Sequence, residues 1–76
     1  SKNNANAKTD TNIKELLKEW KDNKIETGLY STIDENGDNI IVEITNDYLK
    51  VTTIQKNNWS RINYYYKDGT VEELYE

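Results

Sequence analysis

Four evenly spaced turn signals divide the second part of this chain into short segments: Asn36-Gly37, Asn46-Asp47, Asn57-Asn58 and Asp68-Gly69. Asn-Gly and Asp-Gly are the strongest short signals for a β-hairpin, because the central residues of a type I′ turn need a positive φ. Between these signals apolar and polar residues alternate, which is the period of a half-buried strand. The spacing therefore predicts five antiparallel strands joined by tight turns, in a meander.

The register of every strand follows if each signal is a two-residue loop, because a shift of one residue turns a strand over. Ile44 then lies opposite Leu49, and Val51 lies opposite Tyr64. One mostly apolar face is preserved across all four turns. We expect this core face to hold Leu29, Ile33, Ile40, Val42, Ile44, Leu49, Val51, Ile62, Tyr64, Tyr66, Val71 and Tyr75.

A helix is predicted before the strands. Its apolar residues recur at helical spacing on one stripe: Ile13, Leu16, Leu17 and Trp20. Asn12 is the predicted N-cap, and the helix is expected to end near Asp22-Asn23. One face of a sheet must be covered, and this stripe is the cover that the sequence offers.

The predicted fold class is α+β, with one N-terminal helix packed on a five-stranded antiparallel meander. This architecture resembles the cystatin-like arrangement of a helix gripped by a curved sheet, and the resemblance implies nothing about protease inhibition. The alternative is a small closed barrel in which the first strand, 25–33, meets the last, 70–76. Residues 1–10 are polar and unpatterned, which predicts a disordered leader or tether. Residues 11–76 are expected to form a single domain.

The amino-acid composition limits the catalytic and metal-binding chemistry that this chain can carry. Histidine and cysteine are both absent from the 76 residues, which removes the commonest general base, the usual metal ligands and any disulfide. The segment around Asp34, Asn36 and Asp38 resembles the start of an EF-hand loop. It lacks the glycine at position six, which is Asn39, and the glutamate at position twelve, which is Thr45. We therefore expect no enzyme activity, no metal and no cofactor.

The formal charge of the chain is −4. Counting Lys and Arg against Asp and Glu, residues 1–24 carry six against four, and residues 25–76 carry four against ten. Phosphate recognition needs clustered Lys and Arg, so an acidic sheet argues against nucleic acid as a partner. A protein partner is the expectation that remains.

The outer face of the predicted sheet is the candidate binding surface. Of the three consecutive tyrosines, only Tyr65 is expected to point outward, beside Lys50. Opposite-charge pairs, Glu43 with Lys50 and Arg61 with Glu76, are expected to cross this face. Tyrosine, tryptophan and arginine are common interface anchors. The predicted binding residues are Tyr30, Lys50, Trp59, Arg61 and Tyr65.

These features indicate a small, non-enzymatic protein-binding domain. The polar first ten residues resemble the tether of a mature bacterial lipoprotein, which implies an extracytoplasmic domain held at a membrane only through a lipid. The alternative is a cytoplasmic acidic inhibitor or immunity protein, of the phage type, that blocks an enzyme. Its contact residues would be Asp34, Glu35, Asp38, Glu72, Glu73 and Glu76. The sequence leaves the partner, the organism and the oligomeric state open.

Overall fold

The computed structural model describes the backbone of residues 4–34 and 36–76, and the side chains of residues 13–34 and 36–76. It contains a helix, α1 (Asn4–Lys21), followed by five strands: β1 (Gly28–Ile33), β2 (Asn39–Ile44), β3 (Tyr48–Ile54), β4 (Ser60–Tyr66) and β5 (Val71–Tyr75). The strands form one antiparallel sheet in the order β1-β2-β3-β4-β5. The predicted α+β meander is confirmed, as an open sheet whose edge strands are β1 and β5.

The helix begins earlier than predicted. It starts at Asn4, so Asn12 is an interior residue and its prediction as the N-cap was wrong. Ala5 and Ala7 favour helix, and no glycine or proline interrupts the segment. Most of the predicted leader, from Asn4 to Asp10, is therefore helical, while residues 1–3 lie outside the described part of the chain.

The helix ends where the sequence predicted, in a Schellman motif. Asn23 adopts a left-handed φ of 60°. Its N–H donates to the Trp20 carbonyl at 3.0 Å, and the Lys24 N–H donates to the Glu19 carbonyl at 2.8 Å. These two bonds satisfy carbonyls that the end of a helix would otherwise leave unpaired. The half-buried Ile25 follows and packs on the core.

One turn has the predicted length and three are longer by one residue. Asn46-Asp47 is a two-residue loop, closed by the Thr45 N–H and the Tyr48 carbonyl at 2.9 Å. The other three loops have three residues, and the last of each has a positive φ: Gly37 at 84°, Asn58 at 69° and Gly69 at 93°. This geometry is a type I turn followed by a left-handed residue in a G1 bulge, which uses the same residue types as a type I′ turn.

The extra residue turns two strands over. β1 pairs with β2 so that Tyr30 faces Val42, and β4 pairs with β3 so that Tyr65 faces Leu49. The two slips on either side of β4 cancel, so β5 keeps its predicted orientation. Five residues predicted on the core face therefore lie on the opposite face: Leu29, Ile33, Ile62, Tyr64 and Tyr66.

The core lies between α1 and the middle of the sheet. Its buried residues are Trp20, Ile40, Val42, Ile44, Leu49 and Val51, with Ile13, Leu16, Leu17, Ile25 and Tyr65 packed against them. The helical stripe is therefore the cover that the sequence predicted. We call the face of the sheet that carries this core the helix side, and the opposite one the outer face.

Trp20 fixes the helix to the sheet. Its side chain is only 3% exposed, and its indole Nε1 donates to the Thr45 carbonyl, beside the turn between β2 and β3, at 2.7 Å. Lys67, from the turn between β4 and β5, places Nζ 5.0 Å from the centroid of the Trp20 ring. The same Nζ donates to the side-chain oxygen of Asn23 at 3.0 Å. The loop between β2 and β3 and the loop between β4 and β5 thus both hold the C-terminal end of α1.

Candidate protein-binding face

The outer face is unusually poor in charge for the face of a sheet that lies away from its helix. Antiparallel sheets with one solvated face normally alternate apolar residues inward with polar residues outward. Here the only charged residues that the five strands place on the outer face are Glu43, Lys50 and Glu72. The rest are apolar, aromatic or small and polar: Leu29, Ser31, Ile33, Asn39, Ile41, Tyr48, Thr52, Ile54, Ser60, Ile62, Tyr64, Tyr66 and Leu74.

A mostly apolar row crosses the middle of this face. Ile41 lies opposite Thr52, Thr52 opposite Ile62, and Ile62 opposite Leu74. Ile62 is only 7% exposed, although it is on the side of the sheet away from α1, so its neighbours on the same face shield it. Ile41 and Leu74 are 38% and 51% exposed. The row therefore has a buried centre and apolar ends that are open to a partner.

A tyrosine cluster, formed by Tyr48, Tyr64 and Tyr66, lies next to this row. The rings of Tyr48 and Tyr64 meet edge to face, with centroids 5.3 Å apart and planes inclined by 71°. Lys50 places Nζ 5.4 Å from the centroid of the Tyr64 ring. Such aromatic and cation–π contacts hold large side chains in one arrangement. The cluster is therefore a preorganised surface.

Two carboxylates orient the hydroxyl groups of the cluster. The Tyr66 hydroxyl donates to Glu72 Oε1 at 2.5 Å, and the Tyr48 hydroxyl donates to Glu43 Oε1 at 3.4 Å. The bond to Glu72 raises the pKa of Tyr66 to about 12. Burial, with the charge of Glu43, raises the pKa of Tyr48. Both hydroxyls stay protonated at neutral pH, so they serve as hydrogen-bond donors and not as general bases.

The predicted binding residues do not share one face. Lys50 lies on the outer face as predicted, whereas Tyr30, Arg61 and Tyr65 lie on the helix side. Trp59 is also on the helix side, because its carbonyl accepts from the Gln55 N–H at 2.9 Å and continues the ladder beyond Arg61. The reason is the longer turns before β2 and β4, which reverse both β1 and β4.

Several predicted contacts change with this reversal. Tyr65 packs on the core and is not an outward contact. Lys50 meets Tyr64 in its place. Arg61 lies opposite Tyr75, so the predicted pair with Glu76 was wrong, whereas Glu43 lies opposite Lys50 as expected. The sequence-based prediction missed Tyr64 and Tyr66 as surface residues, and their only available signal was the length of the turn at Asn57-Asn58. Tyr48 was not singled out, although the alternation around Leu49 already pointed it outward.

Four residues predicted to bind lie on the helix side or at its edge, but the sheet separates them, because Tyr30 is on β1 whereas Arg61 and Tyr65 are on β4, with β2 and β3 between. Trp59 is 57% exposed, and Tyr30 is 45% exposed with its hydroxyl donating to the Glu26 carbonyl at 3.2 Å. Arg61 and Asn63 are half-buried neighbours. Arg61 Nε and Asn63 Oδ1 have no hydrogen-bond partner among the described residues. These residues do not form one group, since Tyr65 packs against the core while Trp59 stays open.

The acidic residues of the alternative inhibitor surface are dispersed. Asp34 is occupied by its own turn, where Oδ1 accepts from the N–H groups of Asn36 and Asp38 at 2.9 Å each. Glu72 lies on the outer face and Glu73 on the helix side. Glu35 lies outside the described residues. Within the described part of the chain, no three Asp or Glu side chains come together as a metal site would require.

Two open clefts of about 510 and 490 Å³ border β1. The first lies between Gly28 and Asn46, and the second lies between Ser31 and Ile54. Neither brings together a nucleophile and a base within hydrogen-bond reach, which covalent catalysis requires. They are concave strips along an edge of the sheet.

Comparison of this chain with protein-family models, with curated proteins and with solved structures finds no match. No helix in the described residues is long and apolar enough to cross a membrane.

Proposed function

We propose that this chain is a small, non-enzymatic protein-binding domain and that its outer sheet face is the contact surface. One observation carries the proposal: with α1 on the helix side, the sheet still places an apolar row and a tyrosine cluster on its other face. Contiguous apolar surface on a small protein commonly marks an interaction site. Aromatic residues are enriched at interfaces, and charged residues are depleted at their centres.

The partner that this surface fits is a protein with a flat apolar patch and a polar rim. Ile41 and Leu74, at the open ends of the row, would contact the apolar patch. Glu43, Lys50 and Glu72 lie in one row with Tyr64, between the apolar row and the other two tyrosines. Complementary charges of the partner would there contribute more to orientation and association rate than to affinity. The preorganised tyrosines reduce the entropy that binding would otherwise cost.

The structural class belongs to this proposal as well. A single helix across the middle strands of a five-stranded meander supports a cystatin-like arrangement. That likeness concerns architecture and carries no activity with it. The closed-barrel alternative would need β1 to meet β5, and these strands are the two edges of the sheet.

The proposed setting is an extracytoplasmic lipoprotein of a bacterium. Its support is the polar composition of the first ten residues. The codons before Ser1 test this setting directly. A signal peptide that ends in a lipid-modified cysteine agrees with it, and an initiator methionine directly before Ser1 contradicts it.

Site-directed photo-crosslinking tests the contact surface. A photoreactive residue at position 41 or 74 is expected to trap one and the same partner, because both positions are exposed on the outer face. Position 59, on the helix side, is the matched control. The partner is then purified and titrated against the wild type, Ile41→Ser/Leu74→Ser and Trp59→Ala.

The outcomes of that titration are distinct. If Ile41→Ser/Leu74→Ser loses affinity for the partner and Trp59→Ala keeps it, the result agrees with the proposal. A partner that binds the folded outer-face variant as tightly as the wild type shows that the outer face is not the contact surface. A partner lost only in the further variant Glu73→Gln/Glu76→Gln would favour the acidic inhibitor instead.

A further inference from the structure

The two edges of the sheet differ in how well they are protected against pairing with another strand. Edge strands expose unpaired N–H and C=O groups, and proteins usually guard them with charge, proline, bulges or covering elements. β5 carries two glutamates in its five residues, Glu72 and Glu73. β1 carries no charge and no proline, and all six of its residues are exposed. The unguarded edge is β1.

The hydrogen-bond pattern shows which groups β1 presents to a partner. The Asp34 N–H donates to the Asp38 carbonyl at 2.9 Å, which makes these two residues a hydrogen-bonded pair. In an antiparallel ladder such pairs alternate along the strand. Tyr30 and Thr32 therefore point their backbone groups toward β2. The backbone groups that face the open edge are those of Leu29, Ser31 and Ile33.

We propose that β1 is a homodimerisation edge, at which a second copy of this chain pairs antiparallel with Ser31 opposite the partner's Ser31. In this register all three open residues of β1 form hydrogen-bonded pairs, and each pair exchanges two bonds. Leu29 faces the partner's Ile33 on the outer face, and Tyr30 faces the partner's Thr32 on the helix side. Both are pairings that stabilise sheets.

Charge selects this register over its neighbour. Shifting the pairing by two residues, so that Leu29 faces the partner's Ser31, places Glu26 opposite the partner's Asp34, and like charges directly opposite are destabilising. In the proposed register Asp34 lies opposite Gly28, which has no side chain. Like-charge repulsion also disfavours β5 as the dimer edge, because the corresponding pairing places Glu73 opposite the partner's Glu73.

The dimer is isologous, with its two-fold axis through Ser31 and perpendicular to the sheet. Because Leu29 lies opposite the partner's Ile33 on the outer face, the two outer faces join into one continuous surface. Both helices lie on the other side. This inference goes beyond the proposed function and uses a different surface, so either can fail while the other stands.

Sedimentation velocity over a range of concentrations tests the proposal. The wild type is expected to be a dimer that dissociates on dilution. Ser31→Pro removes the two central intermolecular bonds and is expected to raise the dissociation constant by about 30-fold. The N–H of the wild-type Ser31 faces the open edge, so the substitution keeps the hydrogen bonds between β1 and β2. Glu73→Pro, at the equivalent position of β5, is the matched control and is expected to leave the dimer intact.

A charge-swap experiment tests the register itself. Ser31→Lys and Ser31→Glu each place like charges across the two-fold axis, and each is expected to weaken its own dimer by about two- to five-fold. Mixing the two in equal amounts places opposite charges together and is expected to give a heterodimer tighter than either. Circular dichroism of each variant checks that it remains folded.

Three results would contradict the proposed dimer. A wild type that stays monomeric up to millimolar concentration contradicts the proposal. So does a wild-type dimer that Ser31→Pro and both charge variants leave unchanged, because another surface must then form it. If Ser31→Pro fails to fold, the two charge variants decide the question. If their mixture forms no heterodimer in preference to the two homodimers, Ser31 does not lie opposite the Ser31 of the second copy.

Discussion

The two tryptophans provide the sharpest test of how the helix is held. Trp20 is 3% exposed and Trp59 is 57% exposed. We predict that Trp20→Ala destabilises the protein by about 3–5 kcal/mol, the usual cost of removing a large buried aromatic side chain. Trp59→Ala is the matched control, because it removes the same atoms from an exposed position and is expected to cost about 0.5 kcal/mol or less.

The magnitude follows from the contacts that Trp20 makes. Besides its burial in the core, its indole N–H donates to the Thr45 carbonyl at 2.7 Å. A hydrogen bond of this kind contributes about 0.5–1.5 kcal/mol net. The cation–π contact from Lys67 adds about 0.5–1 kcal/mol. A chain of 76 residues is expected to have a total stability of about 4–11 kcal/mol. Trp20→Ala therefore removes a large share of the free energy of unfolding.

Urea denaturation followed by far-ultraviolet circular dichroism measures these free energies. Fluorescence adds an independent check, because each single variant leaves one tryptophan. Trp59→Phe leaves the buried Trp20, which is expected to emit at shorter wavelength than the exposed Trp59 that remains in Trp20→Phe. If the two alanine variants differ in stability by less than about 1 kcal/mol, the packing of α1 on the sheet described above is wrong.

Two further predictions concern the turns and the tyrosine cluster. Asn58→Ala is expected to lower the stability by about 1–2 kcal/mol, because alanine is strained at the left-handed φ of 69° and has no polar side chain to compensate. Asn58→Gly is expected to be nearly neutral. The midpoints of denaturation of the two variants compare these costs. The pKa of Tyr66 is raised to about 12 from 10.0, so its stabilising contribution is fully present below pH 10 and is lost as the pH rises toward 12. Glu72→Gln is expected to shift tyrosinate absorbance to lower pH, and an unchanged titration curve would show that Glu72 does not hold the Tyr66 proton.

The sequence identified the elements and part of their packing. The spacing of Leu16, Leu17 and Trp20 predicted the helix and the side it buries. The alternation from Ile40 to Val51 predicted β2 and β3, and the two-residue turn at Asn46-Asp47 gave their register correctly. These predictions succeed because they depend on local periodicity, and because β2 and β3 bury one face only.

The sequence alone did not determine the faces of β1 and β4. A type I′ turn and a type I turn with a G1 bulge both need a residue with positive φ, so Gly37, Asn58 and Gly69 suit either one. The hydrophobic pattern usually resolves such a choice. Here it does not, because Tyr64, Tyr65 and Tyr66 place an aromatic residue inward in either register.

Only the tertiary structure decided which tyrosine supports the core. One extra residue in the turn before β4 packs Tyr65 against the core and turns Tyr64 and Tyr66 to the outer face. The same kind of slip turns Leu29 and Ile33 outward on β1. The make-up of the candidate binding face, and the choice of which backbone groups of β1 face the open edge, both follow from loop length. Loop length depends on how strands and helix pack together, whereas residue type alone permits either turn.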